Sequence, residues 1–184
     1  MTEAIKISRV WAMPSRWTFE IDPIKELLAR YVGDGTGWVD PFAGENSPAE
    51  HTNDIEGRGA KTQLDGLEAL MGFGYESING VLFDPPYSVE MCLRKYTPRF
   101  KGTAGRTEYH ARCKEEIARI VRPSGTVISF GWNSAGIGLT LGFNPVEYML
   151  ICHGGHHPDT IVTVERKTRT HICEVPRSGN SGGG

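Results

Sequence analysis

The hydrophobic pattern divides the chain into short apolar blocks that end abruptly in polar residues. The clearest helical pattern lies near the N-terminus, where apolar residues recur at i, i+3, i+4 and i+7: Ile24, Leu27, Leu28 and Tyr31. Asp22 is predicted to be the N-cap of this helix and Pro23 its first helical residue. Glycines at positions 33, 35 and 37 predict where it ends.

Seven further blocks predict strands, and helical segments are predicted at 66–71 and 107–122. The strand blocks are 38–40, 49–55, 61–65, 81–83, 126–132, 146–152 and 160–165. The short link between the last two predicts an antiparallel hairpin. No regular element is predicted for the aromatic segment 10–19, which has no clear period and is interrupted by Pro14.

Four of the predicted strands end in an aspartate, namely Asp40, Asp54, Asp65 and Asp84. One such residue is usually a turn former. Four in alternation with short connections predict a single sheet edge that binds a ligand, because open α/β sheets bind ligands at the carboxyl ends of their strands. After the first strand, Ala43 and Gly44 would allow close approach of a ligand, although this loop is not the GxGxxG fingerprint.

The sequence Asp84-Pro85-Pro86-Tyr87 directly follows the buried strand 81–83. Proline cannot donate to a sheet ladder, so the backbone has to leave the sheet here. Residues that precede proline are held in extended geometry, which makes this corner rigid. An acid, exposed carbonyls and an aromatic face at a strand end suit a flat substrate that bears an amine.

Composition predicts one soluble domain over residues 1–176, followed by a disordered Gly/Ser-rich tail over 177–184. No apolar run approaches the roughly 18–20 residues that span a membrane, and the first nine residues lack the apolar stretch of a signal peptide. A cytoplasmic protein without a membrane partner is expected. The cysteines at 92, 113, 152 and 173 form no CxxC pair and are predicted to be reduced thiols.

Positive charge is concentrated in one window although the chain has a net charge of -2. Residues 94–122 carry nine Lys/Arg and three Glu, a balance of +6 that leaves -8 elsewhere. The window is either a solvated helix face and loop or a phosphate-contacting surface. The candidate nucleic-acid contacts in it are Arg94, Lys95, Arg99, Phe100, Lys101 and Arg106.

With Asp40-Pro41-Phe42-Ala43-Gly44 followed by Asp84-Pro85-Pro86-Tyr87, the chain resembles S-adenosylmethionine-dependent DNA adenine-N6 methyltransferases. It is most similar to the small single-domain members encoded by bacteriophages and prophages, and the similarity extends from residue 11 to 167. The resemblance implies a Rossmann-like class I methyltransferase fold, with a seven-stranded, mostly parallel sheet and a C-terminal antiparallel hairpin. It also implies a bacterial or phage-infected cell as the setting.

The resemblance assigns roles to individual residues. Phe42, Ala43 and Gly44 match the loop under the methionine part of S-adenosyl-L-methionine, and Asp54 matches the acceptor for the ribose hydroxyls. Asp65 matches the acid near the adenine amino group of the cofactor, and Asp40 belongs to the same cofactor set. The N-terminal segment that would contact the amino-acid end comprises Met13, Pro14, Trp17, Thr18 and Phe19. Asn46 stands where the family often has glycine, which affects the expected wrap around the methionine group.

The catalytic set implied by the resemblance is Asp84, Pro85, Pro86 and Tyr87. Asp84 and the Pro85 carbonyl can each accept an N–H bond from an exocyclic amine, which would aim its lone pair at the sulfonium methyl. Tyr87 would either stack on a flipped-out base or pack as a core tyrosine. DNA, double- or single-stranded, is the expected partner, and a homodimer that supplies further surface is an alternative.

Several alternatives remain open from the residues alone. Other substrates are cytosine-N4, RNA adenine or protein glutamine, and a non-catalytic nucleic-acid-binding module is the alternative class. Trp132 either lines a base pocket or packs in the core. The segment 152–157 is read as a turn and not as a metal site. The run Glu165-Arg166-Lys167 is predicted to be a surface charge run.

Overall fold

The structure, a computed structural model, describes residues 4–86, 106–155 and 157–168. Within these residues, strands form one seven-stranded sheet: β1 (Lys6–Trp11), β2 (Trp38–Asp40), β3 (His51–Thr52), β4 (Ile78–Phe83), β5 (Val121–Gly131), β6 (Phe143–Cys152) and β7 (Thr160–Lys167). Their order is β1-β6-β7-β5-β4-β2-β3. The strands pair in parallel except where β7 pairs with β5 and β6, so the predicted mostly parallel sheet and closing hairpin are confirmed.

The helices of the described residues are α1 (Asp22–Tyr31), α2 (Gly66–Met71) and α3 (Arg106–Ile120). Two 3-10 turns, Thr18–Glu20 and Leu139–Leu141, accompany them. The apolar stripe of α1 is confirmed, since Ile24, Leu27 and Leu28 are buried. The predicted cap is wrong by one residue: Ile21 is the N-cap, and Asp22 lies in the first turn with the proline.

The helices pack against the two faces of the sheet in two apolar clusters. One cluster joins Ile24 and Leu27 of α1 to residues of β5, β6 and β7 such as Ile128 and Val162. The other contains apolar residues of α2 and α3 together with residues of β4 and β5. The carboxyl ends of β2, β4 and β5 emerge between these layers, which is where α/β sheets hold ligands.

The sheet contains one strand that the sequence pattern does not predict and lacks one that it does. β1 lies at the sheet edge and pairs in parallel with β6, and its outward side chain Ile7 is 77% exposed. The side chains of β1 alternate between exposed and partly buried, but the exposed set includes the apolar Ile7 and Trp11, so the polarity of the sequence does not follow the burial. The predicted strand 61–65 is reduced to a single bridge between Asn53 and Thr62.

Two other predictions are wrong at the C-terminal half. α3 ends at Ile120, and Val121, predicted as helical, begins β5. The predicted surface charge run is partly buried, because Glu165 is 2% and Lys167 1% exposed. The Lys167 ammonium donates to Glu76 Oε1 at 3.1 Å and to the carbonyls of Ala118 and Val121 at 2.8 and 2.7 Å. These three acceptors compensate the cost of burying the charge.

Some predicted features lie outside the described residues: Tyr87, the basic residues Arg94, Lys95, Arg99 and Lys101 with Phe100, and the tail 177–184. Arg106 is the first residue of α3, and its side chain is also outside the description. Cys113 and Cys152 are buried free thiols. In the portions of the chain that are described, no helix combines the length and apolarity needed to cross a bilayer.

Candidate active site

A first cavity of about 240 Å³ opens at the carboxyl ends of β2 and β4. It brings together residues that are far apart in the sequence, from the 3-10 turn before α1, the loop after β2 and the corner after β4. The lining residues are Arg16, Trp17, Thr18, Phe19, Phe42, Ala43, Gly44, Asn46, Asp54, Arg58, Asp84, Pro85 and Pro86. Ten of these are residues that the sequence assigns to cofactor binding or catalysis.

The loop after β2 is held in a conformation that depends on glycine. The Phe42 N–H donates to Asp40 Oδ1 at 3.0 Å, and the Ala43 N–H donates to the Asn53 carbonyl at 2.9 Å. Gly44 has a φ of +55°, and a Cβ there would lie 3.1 Å from Trp17 Cζ3. The loop therefore needs glycine both for its backbone angle and for the close approach of the indole.

Two arginine side chains lie over the ring of Trp17 at the wall of the first cavity. The guanidinium carbons of Arg16 and Arg58 lie 4.9 and 5.7 Å from the centroid of its ring. Arg58 also contacts the carboxylate of Glu56. The same cavity contains the carboxylates of Asp54 and Asp84, so its lining includes groups of both signs and an aromatic face.

Asn53 fixes this loop to the segment that follows β3. Its amide nitrogen donates to the carbonyls of Pro41 and Leu64, both at 3.0 Å. Its side-chain oxygen accepts from Thr62 Oγ1 and the Leu64 N–H, both at 2.9 Å. The buried side chain thus uses all four of its hydrogen-bonding positions, and it replaces the ladder that a full strand over 61–65 would have supplied.

Asp40 is the most perturbed acid of the site. Burial raises the pKa of its carboxyl to about 7, the nearby Ser47 hydroxyl and the Phe42 N–H oppose that rise, and the carboxylates of Asp84 and Asp54 add to it. Its Oδ2 is buried with no partner at hydrogen-bonding distance among the described residues. Asp40 therefore changes its charge near neutral pH, behind a cavity that already contains two acids.

A second cavity of about 340 Å³ lies beside the first, between α3 and the end of β5. Its lining residues are Phe83, Pro85, His110, Ala111, Lys114, Ser129, Phe130, Gly131, Trp132, Asn133 and Gly136. Ser129 Oγ is buried and makes no hydrogen bond to any described residue. Pro85 lines both cavities, so the corner after β4 stands at their junction.

The structure separates the two interpretations of Trp132. Its side chain is 61% exposed and lines the second cavity, so it is not a core residue.

His153 belongs to the turn between β6 and β7, with Nδ1 2.9 Å from the Ala12 carbonyl and Nε2 3.0 Å from Thr160 Oγ1. The described residues contain no cluster of three or more His, Cys, Asp or Glu side chains that could hold a metal ion.

Four residues of the predicted cofactor set do not line the first cavity: Asp40, which is buried behind it, and Asp65, Met13 and Pro14. Asp65 is the N-cap of α2: its Oδ1 accepts from the Leu67 N–H at 3.0 Å, and both carboxylate oxygens lie 3.1 Å from the Tyr109 hydroxyl. Met13 is 83% exposed, and it lines a separate hollow together with Pro14. The cavity walls of the N-terminal segment begin instead at Arg16.

Several lining residues have no sequence signal. Arg16 and Arg58 are ordinary basic residues in the sequence, Lys114 is marked only as one of nine positive residues in the window 94–122, and Ser129 lies inside an apolar strand. Burial lowers the pKa of Lys114, and the charge of Glu165 opposes that change. Only the folding of distant segments against one another brings these groups to a cavity.

The sheet order, the glycine loop after β2 and the ligand edge beside it define the Rossmann-like class I methyltransferase fold, as the sequence predicts. No protein-family model matches the chain, and no curated protein matches it by sequence. The likeness is to solved structures.

One such structure is the 1,6-didemethyltoxoflavin-N1-methyltransferase of Burkholderia thailandensis with 1,6-didemethyltoxoflavin and S-adenosylhomocysteine, at a TM-score of 0.53 and 12% identity over 80% of this chain and 77% of that one. The N-methyltransferase NodS of Bradyrhizobium japonicum with S-adenosylhomocysteine gives 0.52 and 11%, over 84% and 90%. TrmN of Thermus thermophilus gives 0.51 and 15%, over 80% and 49%, so the chain spans about half of that protein. At these identities the likeness establishes the fold.

Proposed function

We propose that the protein is an S-adenosylmethionine-dependent methyltransferase that methylates the exocyclic N6 amine of adenine in DNA. The observation that carries the proposal is that Pro85 lines both cavities, while its neighbours Asp84 and Pro86 line the first. A group-transfer enzyme needs a donor site and an acceptor site that meet at the reacting atoms. Here the polar corner that could orient an amine lies where the two cavities meet.

The first cavity has the chemistry that the cofactor requires. Gly44 allows the ring of Trp17 to approach the loop after β2 closely, so that both form one wall of the cavity. Asp54 offers a carboxylate to ribose hydroxyls at the end of β3, and Trp17 offers an aromatic face. The carboxylates of Asp40, Asp54 and Asp84 favour a bound cation. When bound, S-adenosylmethionine would supply an electrophilic methyl group on a positively charged sulfur.

The second cavity suits a planar base that bears an amine. Its lining contains the aromatic rings of Phe83, Phe130 and Trp132, which can contact a base face. Ser129 Oγ offers a buried polar group without a partner among the described residues, which could bond to a ring edge. A base in a duplex has to leave the stack to enter such a cavity.

The corner after β4 would orient the amine. Asp84 and the Pro85 carbonyl each accept one N–H bond, which draws the nitrogen towards a tetrahedral geometry and turns its lone pair away from the ring. Neither proline has an N–H that would compete for these acceptors. Catalysis on this account consists of positioning and electrostatic stabilisation by groups that are already in place.

The identity of residue 84 supports adenine as the acceptor. In the methyltransferases that the sequence resembles, enzymes acting on cytosine-N4 commonly have serine at this position, and those acting on glutamine have asparagine. The chain has Asp84. The positive window 94–122, which begins seven residues after Tyr87, supports a nucleic-acid substrate.

Methyl transfer from labelled S-adenosylmethionine to unmethylated DNA tests the proposal. We expect Asp84→Ala to lower the transfer rate by about a hundredfold or more, because the amine loses an acceptor that acts in the transition state. Cofactor binding by calorimetry should persist. Asp22→Ala, which removes an exposed aspartate from the first turn of α1, is the matched control and should transfer at the wild-type rate.

The acceptor is identified by parallel reactions on DNA duplexes, single-stranded DNA, RNA and glutamine-containing peptides. Label in N6-methyladenine of DNA supports the full proposal. Label in cytosine, RNA or peptide would overturn the adenine assignment and leave the methyltransferase class intact. Wild-type protein that binds the cofactor but labels none of these acceptors would contradict the enzymatic proposal.

A further inference from the structure

The connection between β5 and β6 is held by hydrogen bonds to a side chain of another strand, β7. Residues 132–142 join the two strands through a loop and the 3-10 turn Leu139–Leu141, without an α-helix. The first part of this loop lines the second cavity through Trp132, Asn133 and Gly136. A loop without helical hydrogen bonds needs other partners to hold its backbone in one place.

Glu165 of β7 supplies those partners from beneath the loop. Its Oε2 accepts from the Ile137 N–H at 2.5 Å, and its Oε1 accepts from the Gly138 N–H at 2.9 Å. The residue is 2% exposed, and its bond from the Ile137 N–H is buried while that from the Gly138 N–H is partly buried. Hydrogen bonds from backbone amides to a buried carboxylate are among the strong ones in proteins.

Gly136 shows how closely the loop fits over this carboxylate. Its φ is +53°, and a Cβ at this position would lie 2.2 Å from Glu165 Oε2. Any other residue would displace either the loop or the carboxylate. Ile137 anchors the next position, since it is buried in the apolar cluster shared by α2 and α3.

The same carboxylate also influences the opposite wall of the cavity. Lys114 of α3 lines the second cavity, and the charge of Glu165 favours its protonated form. Two walls of the cavity, one from α3 and one from the loop, are thus coupled to one buried acid. Glu165, Ile137, Gly138 and Lys114 are not among the described residues that line the first cavity.

We propose that Glu165 is a positioning residue for the acceptor: it holds the loop 132–138 so that Trp132 and Asn133 form the wall of the second cavity beside Pro85. That the cavity receives the acceptor rests on the proposed function, whereas the restraint of the loop does not. Without the carboxylate, two buried N–H groups lose their acceptors and the loop loses its fixed position. The acceptor site would be affected, and the cofactor site would not.

The test compares Glu165→Gln, Glu165→Ala and Gly136→Ala with wild type and with Glu147→Gln. Glutamine keeps the shape but turns an N–H donor towards one of the two amides. Gly136→Ala keeps the carboxylate of Glu165 and disturbs the packing of the loop against it. Glu147→Gln is the matched control, because Glu147 is also a fully buried acid of the sheet but bonds to Arg30 and Tyr31 of α1, away from the cavity.

The first readout needs no activity. The quenching of Trp132 fluorescence by acrylamide is obtained as the difference between each protein and the same protein with Trp132→Phe. It should increase in Glu165→Gln, Glu165→Ala and Gly136→Ala, which we call the loop variants, and not in Glu147→Gln. In the second readout, KM for the acceptor should rise about tenfold or more in the loop variants, as expected for the loss of charge-assisted hydrogen bonds, while the cofactor Kd stays unchanged.

Each outcome bears on one of the two proposals. Unchanged quenching in Glu165→Gln and Gly136→Ala would overturn the restraint of the loop. Increased quenching with an unchanged acceptor KM would also overturn the positioning role, because the loop would then be only structural. Increased quenching in a protein that methylates none of the tested acceptors would support the restraint and count against the proposed function.

Discussion

At the scale of single residues, Asp40 departs clearly from the ordinary chemistry of an aspartate. Its carboxyl is fully buried, one oxygen has no partner at hydrogen-bonding distance among the described residues, and its pKa is raised to about 7, mainly by burial. A cation bound in the adjoining cavity would favour the ionised form. Cofactor binding and ionisation of Asp40 are therefore expected to be coupled.

This coupling predicts a pH-dependent preference between the two forms of the cofactor. S-adenosylmethionine carries a sulfonium charge and S-adenosylhomocysteine does not, so ionised Asp40 favours the former. As pH rises from 6 to 8, the ratio of the two Kd values should increase by about three- to tenfold in favour of S-adenosylmethionine. Calorimetric titrations of both ligands over this range measure the ratio.

Asp40→Asn is expected to make the ratio independent of pH, with Asp34→Asn as a control at an exposed acid. Because the folded-state pKa is raised above the unfolded value of 3.8, stability is lost as pH rises from about 3.8 through about 7 and is then constant with respect to this group. Asp40→Asn should therefore have a higher melting temperature than wild type, and the difference between the two proteins should be larger at pH 8 than at pH 5. The same pH dependence in Asp40→Asn as in wild type would assign the effect to another acid.

Sequence patterns identify residue type and strand-end position but not which partner a residue will have. Asp40, Asp54 and Asp65 look alike in the sequence because each ends a predicted strand. The fold makes the first a buried acid, the second a cavity residue and the third a helix cap. These differences depend on groups such as Tyr109, which lies 44 residues after Asp65.

At the scale of elements, the loop after β2 depends on one side chain more than on strand pairing. β3 has only two residues, and the segment after it contributes one bridge. Asn53 joins both to the loop through hydrogen bonds from its amide to the carbonyls of Pro41 and Leu64. The loop and the strand-end acid Asp54 are therefore expected to move together if this side chain is lost.

Asn53→Ala is predicted to lower the free energy of unfolding by about 2–4 kcal/mol, because several buried donors and acceptors lose their partner at once. Cofactor affinity should fall as well, since the loop 41–44 loses its tether. Urea unfolding and cofactor titration measure the two effects. Asn144→Ala is the control, because Asn144 is exposed and, among the described residues, its amide bonds only to Thr168 Oγ1. Equal effects of both substitutions would contradict the special role of Asn53.

The elements that the sequence predicts well form a group in which runs or stripes of apolar residues coincide with buried positions. The stripe of α1 repeats at the helical period, whereas β4 and the second half of β5 are buried on nearly every residue and appear as continuous apolar runs. β1 does not belong to it, since Ile7 and Trp11 point to solvent and the partner strand lies about 140 residues later. Pairing across that distance has no local signal.

At the scale of the whole molecule, Glu147 ties the edge strand and α1 to the sheet. Its carboxylate accepts two bonds from the Arg30 guanidinium at 3.1 and 2.9 Å and one from the Tyr31 hydroxyl at 2.8 Å. Lys6 of β1 forms an ion pair with it at 2.9 Å. Burial acts to raise the pKa of Glu147, but these bonds prevail and lower it to about 2.

This pKa predicts how stability depends on pH. A depressed folded-state pKa contributes stability that is present above the unfolded value of 4.5 and is lost as pH falls through about 2. The contribution is about 3 kcal/mol. Urea unfolding of wild type and Glu147→Gln should therefore differ by a similar amount at pH 7 and converge near pH 2. A difference that persists at pH 2 would mean that packing, and not ionisation, accounts for it.

By itself, the sequence determines the class of the fold and the residue types that stand at the strand ends, including the corner at Asp84. Helical and strand periods, glycine turns and proline breaks depend on residues close together in the chain, so they can be predicted from the amino-acid sequence. The tertiary structure alone decides that Pro85 joins two cavities, that Asn53 replaces a strand, and that Glu165 and Lys167 are buried. These depend on contacts between segments distant in sequence, which no local pattern encodes.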